Sequence, residues 1–537
     1  MIQTDFDSKT KQKILRKNDS GPYEHPSTAH HLCQPTLYNT GGGRWNDTWL
    51  GAMRNADRVL EWDPAAILSI LSFHYAVGDM TPIRSISRNP WMSMANDDGT
   101  ATLSPIPEHG FSAADQRETA ATLYNLLRDE AATVCEGRSE IYILLSGGLD
   151  SRIVAGILAH LKKEGRLPCD PVCVTWGLEN SRDVEYARAV AKALDFEWVH
   201  AGIGPETIIE NIRISAGTGN LFPPSDLHCL SWFRNVSPDA LVLAGSYGDS
   251  IGRAEFSGRH LLELTPHSPA NLFGLVRPDV YEAATTGIMK ELDVLKGRAG
   301  DVLPHVFHEY EQQCHYMRGM IQQAMNLVNN RCTLYQLFTD PSVYSYMWSI
   351  HPSFRTNGTY EILIELLGCG LARIPWARTN RALRGATHGA RSDLEKEFHL
   401  YGEWISGPLY ERVETIVDPG WFAETGIFCG ERIRELADSL RPGARNHYGR
   451  SFKPYSVWLW LAGLKTMAHL CEEMGKEIQP VNSSDRPCPP ASEIDPNLRR
   501  GSLRKMVSGI PGAPEMKKRL NRWLLRRKAL KKYPPVS

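Results

Sequence analysis

The sequence predicts an α/β fold, a doubly wound parallel sheet with helices on both faces and a C-terminal helical extension. Three observations lead to this. An apolar run, Ile141 to Leu145, breaks at Ser146-Gly147-Gly148-Leu149-Asp150-Ser151 and is followed by a helical pattern from Arg152 to Leu161. Short apolar strands and amphipathic helices then alternate to residue 200, a spacing that implies right-handed crossovers and parallel strands. A second buried run, Leu241 to Ala244, enters Gly245-Ser246-Tyr247-Gly248-Asp249-Ser250.

Taken in order, residues 1–55 are rich in Gly, Asn, Ser, Thr and His, and read as a loop or poorly ordered arm. Asp63 is a good N-cap for a helix whose first residue is Pro64. Tyr75 to Ile83 then makes a Gly-Asp turn. A helix over 112–134 leads into the strand Ile141–Leu145, which is too short to be a helix and ends in a Gly pair. Pro171 to Trp176 is a second strand, Ser181 caps a helix running to Ala191, and Phe196 to His200 is a third strand. Helical patterns follow at Tyr281–Leu295 and Val306–Asn329. The main domain is expected over 112–400, and a helical extension over 401–485, where Tyr455, Trp458, Trp460 and Leu464 form a packed face. Residues 486–537 read as a Pro-rich linker and a basic tail, Arg499 to Lys532, with Leu520, Trp523, Leu524 and Leu530 among the charges. Such a tail suits RNA, an anionic membrane or an acidic partner, or is a solvated basic helix.

Bulk properties narrow the class. The chain has 537 residues, 42% hydrophobic and 23% charged, ordinary for a soluble globular protein of two or three domains. A net charge of -1 supplies no global field for nucleic acid. Met1 is followed by polar residues rather than a signal peptide, and the apolar stretch Ser456 to Leu464 is too short to span a membrane. Eleven cysteines without a disulfide framework point to a reducing cytoplasm. Cys169 with Cys173, and His25, His30, His31 with Cys33, lack the paired spacing of structural zinc and read as buried thiols and a polar loop.

The stretch around Ser146 is the chemical centre. Strand, tight Ser/Gly turn and helix make a phosphate cradle: glycines admit an anion close to the backbone, and the helix N-terminus offers free N–H groups and partial positive charge. Ser146 and Ser151 add hydroxyls, and Asp150 is placed to hold Mg2+ against bound phosphates. A ligand would sit at the carboxyl ends of the strands.

Ser146-Gly147-Gly148-Leu149-Asp150-Ser151 resembles the pyrophosphate-binding loop (PP-loop) of ATP pyrophosphatases, specifically the synthetase domain of asparagine synthetases. It differs from Walker A, whose Gly-Lys-Ser/Thr ending is not found here. The resemblance continues from about 63 to 385, through Tyr75–Ile83, Asp183-Val184-Glu185-Tyr186-Ala187, Gly245–Asp249, Leu337-Phe338-Thr339-Asp340-Pro341 and Arg373–Arg378, and it implies that 56–111 is the remnant of the family's amidotransferase-to-synthetase junction. It implies an adenine-nucleotide alpha hydrolase-like fold with ATP and Mg2+ as cofactors. Ser146, Gly147, Gly148, Leu149, Ser151 and Gly245 would bind ATP and its pyrophosphate, and Asp150 and Asp249 would be catalytic and share the metal.

Departures from the family's pattern accompany the matches. Ser250 replaces a Glu, Thr333 stands where the family has another Glu, and Tyr360 falls where it has a catalytic Lys. Lys453, Arg373 and Arg378 are candidate substitutes for that cation. The family's glutaminase half uses an N-terminal cysteine, whereas Ile2 follows Met1 here and only about sixty residues precede the matching helix, too few for that domain. Nitrogen is then expected from solution, from a separate amidotransferase or precursor-binding partner, or from the substrate itself.

The implied activity is an ATP-dependent amide-forming ligase. A small-molecule or peptide carboxylate would attack the α-phosphate, and ammonia or an amine would displace AMP from the acyl-adenylate. Asparagine synthesis is one outcome, and lactam closure of a natural product or peptide is the close alternative. A tRNA-modifying PP-loop enzyme, favoured only by the basic tail, and a non-catalytic nucleotide-binding protein, suggested by the missing Lys and Glu, are the further readings.

Overall fold

Five short apolar runs pair into one parallel sheet in the computed structural model, which describes residues 31–41, 43–254, 269–383, 391–444, 453–483 and 488. The strands are β1 (Ile141–Leu144), β2 (Val172–Gly177), β3 (Glu197–Gly202), β4 (Leu241–Ala244) and β5 (Thr333–Gln336). They lie in the order β5-β4-β1-β2-β3, every pair parallel. From β1 the chain first builds outward to β2 and β3, then returns to add β4 on the other side. The carboxyl ends of β1 and β4 therefore flank the topological switch point, where open α/β sheets leave a crevice.

Both faces of the sheet are covered, as the near-continuous apolar strands require. Ile141, Ile143, Cys173, Leu241 and Leu243 point into one core; Leu144, Val174, Val242 and Ala244, one residue out of step, point into the other. The first core is closed by α2 (Gln116–Cys135), α3 (Asp150–Lys163), α4 (Arg182–Leu194) and α9 (Asn357–Leu367). The second lies under α5 (Pro205–Gly217) and α11 (Pro454–Glu473), which pack on each other. Local caps follow the sequence. Asp63 accepts from the Ala65 and Ala66 amides to open α1 (Pro64–Phe73), and Ser181 accepts from the Val184 amide to open α4.

Between β4 and β5 run α6 (Pro278–Ala299) and a long helix, α7, over residues 304–329. The middle of α7, Gln312–Gln322, is wound as a π-helix between α-helical ends Pro304–Glu311 and Gln323–Asn329. An α8 helix (Pro341–Ser349), capped by Asp340, and an α10 helix (Gly430–Leu440) complete the elements used below.

Two expectations are corrected and one is met. Residues 31–55 are not a loose arm: Thr48 caps a helix, Trp49–Asn55, Tyr38–Asn39 pairs with Ser87–Arg88, and Leu32, Tyr38 and Trp49 are buried. A few large side chains anchor a stretch whose composition is otherwise polar. The expected C-terminal helical extension is present and built into the domain: α10 and α11 share their core with the sheet, and Glu477–Gln479 pairs in parallel with Val59–Glu61. The cysteines are not all thiols, since Cys429 and Cys488 form a disulfide. Cys173 is packed in the core of β2. His25, His30, the linker beyond 488 and the basic tail lie outside the described residues. No described helix is long and apolar enough to cross a membrane.

Candidate active site

The turn after β1 is knitted by its own hydroxyls. Ser151 Oγ accepts from the Ser146 amide at 3.1 Å and lies 3.0 Å from Ser146 Oγ, which accepts from the Gly148 amide at 3.2 Å. Leu149, buried at the N-cap of α3, has no side-chain group that can cap the helix. Gly147 is required by close approach: a Cβ there would sit 2.7 Å from the Ala377 Cβ. The loop is also held from below by Arg152, whose buried guanidinium donates to the carbonyls of Leu371, Ile374, Pro375 and Gly147. Burial pulls that guanidinium down to about 10.

The second motif meets the first at Asp150. A Cβ on Gly245 would fall 2.8 Å from the Asp150 carbonyl carbon and 2.9 Å from the Ser151 amide; one on Gly248 would fall 2.5 Å from Asp150 Oδ1. Only glycine lets the turn after β4 lie against the start of α3. Asp150 Oδ2 accepts from Arg253 Nη2 at 3.0 Å. The guanidinium lies over the rings of Tyr360 (5.4 Å) and Trp376 (5.7 Å) and donates to Asn357. Tyr360 itself donates to the Gly248 carbonyl at 2.7 Å. Burial first, then the charges of Asp150 and Asp249, push its phenol well above its ordinary range, so both acids act on one point.

A cavity of about 330 Å³ opens over the carboxyl ends of β1, β2 and β4. Ser146, Asp150, Ser151 and Gly245 line one side; Gly147, Gly148, Leu149 and Asp249 are not part of the lining. Trp176 and His228 stack across it at 6.0 Å, with Phe398 edge-on to His228. Met320, Ile321, Ala324 and Met325 of α7 complete the wall. Two further acids line it, Asp183 and Asp226, each pushed up to about 6 by burial. The Gly147 amide bonds to Asp183 and pulls it back in part, and the Lys453 charge does so for Asp226. Burial, His399 and Lys453 take His228 down to about 3, so its ring is neutral at pH 7, sharing a 2.8 Å hydrogen bond with Tyr401.

The sequence-predicted cations fare differently. Arg373 and Arg378 are exposed, and Lys453 acts on the Asp226 end of the cavity rather than on the loop. The cation at Asp150 is Arg253, which sequence reading missed; its signal was an Arg just after a Gly-flanked acid. Thr333 begins β5 opposite Leu241, at the amino end of the sheet and away from the cradle. Arg152 was also missed, though a charged residue on an apolar helix is itself a signal. Among the described residues no three His, Cys, Asp or Glu side chains form a ready-made metal cage. Mg2+ does not need one, because it takes one or two carboxylates with phosphate and water oxygens, and Asp150 is a carboxylate on the cavity wall.

No curated protein matches the chain. Among solved structures it is similar to NMN synthetase from Francisella tularensis, at 14% identity, covering 41% of this chain and 94% of that one, with a TM-score of 0.18. The sequence model of the asparagine synthase family matches residues 122–216, the segment from α2 through the Ser146 loop to α5. The part of the chain that resembles the asparagine synthase family thus holds the Ser146 loop and Asp150, while the turn after β4 that meets them lies beyond the matched segment.

Proposed function

We propose that this protein is an ATP-dependent amide-forming ligase that adenylates a carboxylate and passes the acyl group to ammonia or an amine. The observation that carries the reading is the meeting of the two glycine turns on Asp150, with Gly245 and Gly248 both at contact distance. That arrangement gathers loop amides, serine hydroxyls and a carboxylate at one helix N-terminus, which suits a pyrophosphate. The stacked pair Trp176 and His228 gives the other end of the cavity a flat apolar surface suited to a purine.

In this reading Ser146 and Ser151, on the cavity wall, hold the β- and γ-phosphates, and the Gly147 and Gly148 amides fix the loop through Asp183 and Ser146. Asp150 and Asp249 would hold Mg2+, which supplies charge neutralisation on the phosphates. Arg253 keeps Asp150 in place and adds positive charge beside it. The substrate carboxylate oxygen bonds to the α-phosphorus as the α–β bridging P–O bond breaks and pyrophosphate leaves. The nitrogen nucleophile then bonds to the acyl carbon as AMP departs, losing its proton. Asp226, on the cavity wall with a carboxyl near 6, is suited to take that proton.

The test is product analysis with ATP, Mg2+ and a panel of carboxylates, with and without ammonia. AMP and pyrophosphate that depend on a carboxylate and vanish in Asp150→Ala are expected. ADP and phosphate instead would overturn the mechanism.

A further inference from the structure

We propose that the acid activated here has an apolar body, held against the wall formed by Met320, Ile321, Ala324 and Met325. The inference rests on the ligase reading and names its substrate class. The four residues share one face of α7 and line the same cavity as Ser146, Asp150 and Ser151. Met325 is tied to the phosphate side of the cavity. Its Sδ accepts from Gln336 Nε2 at 2.9 Å, and Ser246 Oγ lies 3.8 Å from it.

α7 is held in place by buried residues of both kinds. Its polar residues are buried in bonds to the scaffold. Arg318 pairs with Asp79 at 2.6 Å, Gln313 donates to Ser250 at 3.0 Å, Gln322 donates to the Gln34 carbonyl, and Gln323 donates to Tyr38 at 2.6 Å. Its apolar residues Val306, Tyr310, Met317 and Val328 are buried in the two cores, while Met320, Ile321, Ala324 and Met325 pack at the core margins and also line the cavity. Met320 and Ile321 lie in the π-wound segment, a feature that recurs at functional sites.

Aspartate fits this wall poorly. It would bring a second carboxylate and an ammonium, and the charged side chains described on the lining are Asp150, Asp183 and Asp226, all acids. A second carboxylate would be desolvated beside these acids, and the Lys453 charge already acts on Asp226. An apolar acid carries a single charge, which is consumed when its oxygen bonds to phosphorus. Methionines adapt to chains of varied shape, which suits an aliphatic or aromatic body.

The experiment is calorimetric titration of the full chain with octanoate, aspartate and n-octanol, in the presence of α,β-methylene-ATP and Mg2+. Octanoate is expected to bind at least about tenfold more tightly than aspartate or octanol. Ile321→Asp should weaken octanoate by about tenfold or more while the ATP analogue still binds. Met320→Ala, the milder variant, should shift preference toward longer acids. Aspartate binding as tightly as octanoate, no octanoate binding, or octanoate binding unchanged by both variants would overturn the inference. Pyrophosphate exchange is measured separately. Its absence with every acid rejects the ligase reading, while the titrations still decide what the wall binds.

Discussion

Arg253 Nη2 sits 3.0 Å from Asp150 Oδ2, with the two side chains 7% and 20% exposed. The guanidinium is sandwiched against Tyr360 and Trp376, so it is a fixed charge rather than a solvated one. Arg253→Met leaves Asp150 in that environment without its cation. The expected loss is about 2–3 kcal/mol of stability, at or below the range for breaking a fully buried pair. Pyrophosphate-forming activity should fall about a hundredfold, the scale of removing one preorganised electrostatic partner. Adding Asp150→Asn should recover part of the melting temperature and none of the activity, which calorimetry and product assays would read together.

Tyr360, where the resemblance to asparagine synthetases implies a lysine, holds the turn that bears Asp249. Its hydroxyl holds the Gly248 carbonyl, and its ring carries Arg253. Tyr360→Phe keeps the ring and removes the bond, at about 1–2 kcal/mol. The turn bearing Asp249 should loosen, so kcat should drop several-fold with KM for ATP little changed. Tyr360→Lys should not restore a family-like enzyme, because it would place an ammonium in a fully buried slot beside Arg253. A melting temperature well below that of Tyr360→Phe is the expected result.

Much of this architecture was legible along the chain. Ile141–Leu145 and Leu241–Ala244 announced buried strands by being apolar, short and glycine-ended. Asp63 and Ser181 announced helix starts by their capping chemistry. What could not be read was long-range. Arg253 and Asp150 are a hundred residues apart in sequence, and nothing local says that this guanidinium will pair with that carboxylate. The same holds for Gln322 and Gln34, or Glu477 and Val59, where the pairing partner lies most of the chain away. Residues 31–55 were misread because their anchors, Leu32, Tyr38 and Trp49, are spaced without period and show their burial only once α7 is in place.

Asp183 links the loop to pH. Burial raises its carboxyl from the usual carboxylate range to about 6, against the pull of the Gly147 amide. A raised acid binds its proton more tightly folded than unfolded, so its contribution to stability falls as pH rises from about 4 to about 6. Asp183→Asn removes that loss and can still accept from Gly147. The variant should melt higher than the parent at pH 7.5, by about 1–2 kcal/mol in stability, and show no gain at pH 4. Paired thermal melts across that window would check it; a constant difference at all pH values would contradict it.

Behind the Asp249 turn lies a buried ion pair that should matter for both folding and metal. Arg355 donates to Glu309 at 2.6 and 2.7 Å and to the Ile251 carbonyl at 3.1 Å, while His109 Nε2 lies 2.9 Å from Glu309 Oε2. Ile251 ends the same helical turn, Gly248–Ile251, that carries Asp249. Burial alone would raise the Glu309 carboxyl, but Arg355 and then His109 outweigh it and hold it well below the usual carboxylate range. A depressed acid stabilises the fold fully above its unfolded value and loses that contribution as pH falls toward the folded one. Glu309→Gln should therefore cost about 3–5 kcal/mol at pH 7, and the gap from the parent should narrow below about pH 4. Arg355 freed of its partner would no longer anchor the Ile251 carbonyl. The Mg2+ concentration needed for half-maximal pyrophosphate release should rise several-fold in Glu309→Gln at a temperature where the variant is still folded. Loss of stability with an unchanged Mg2+ requirement would make the pair a scaffold for the core alone.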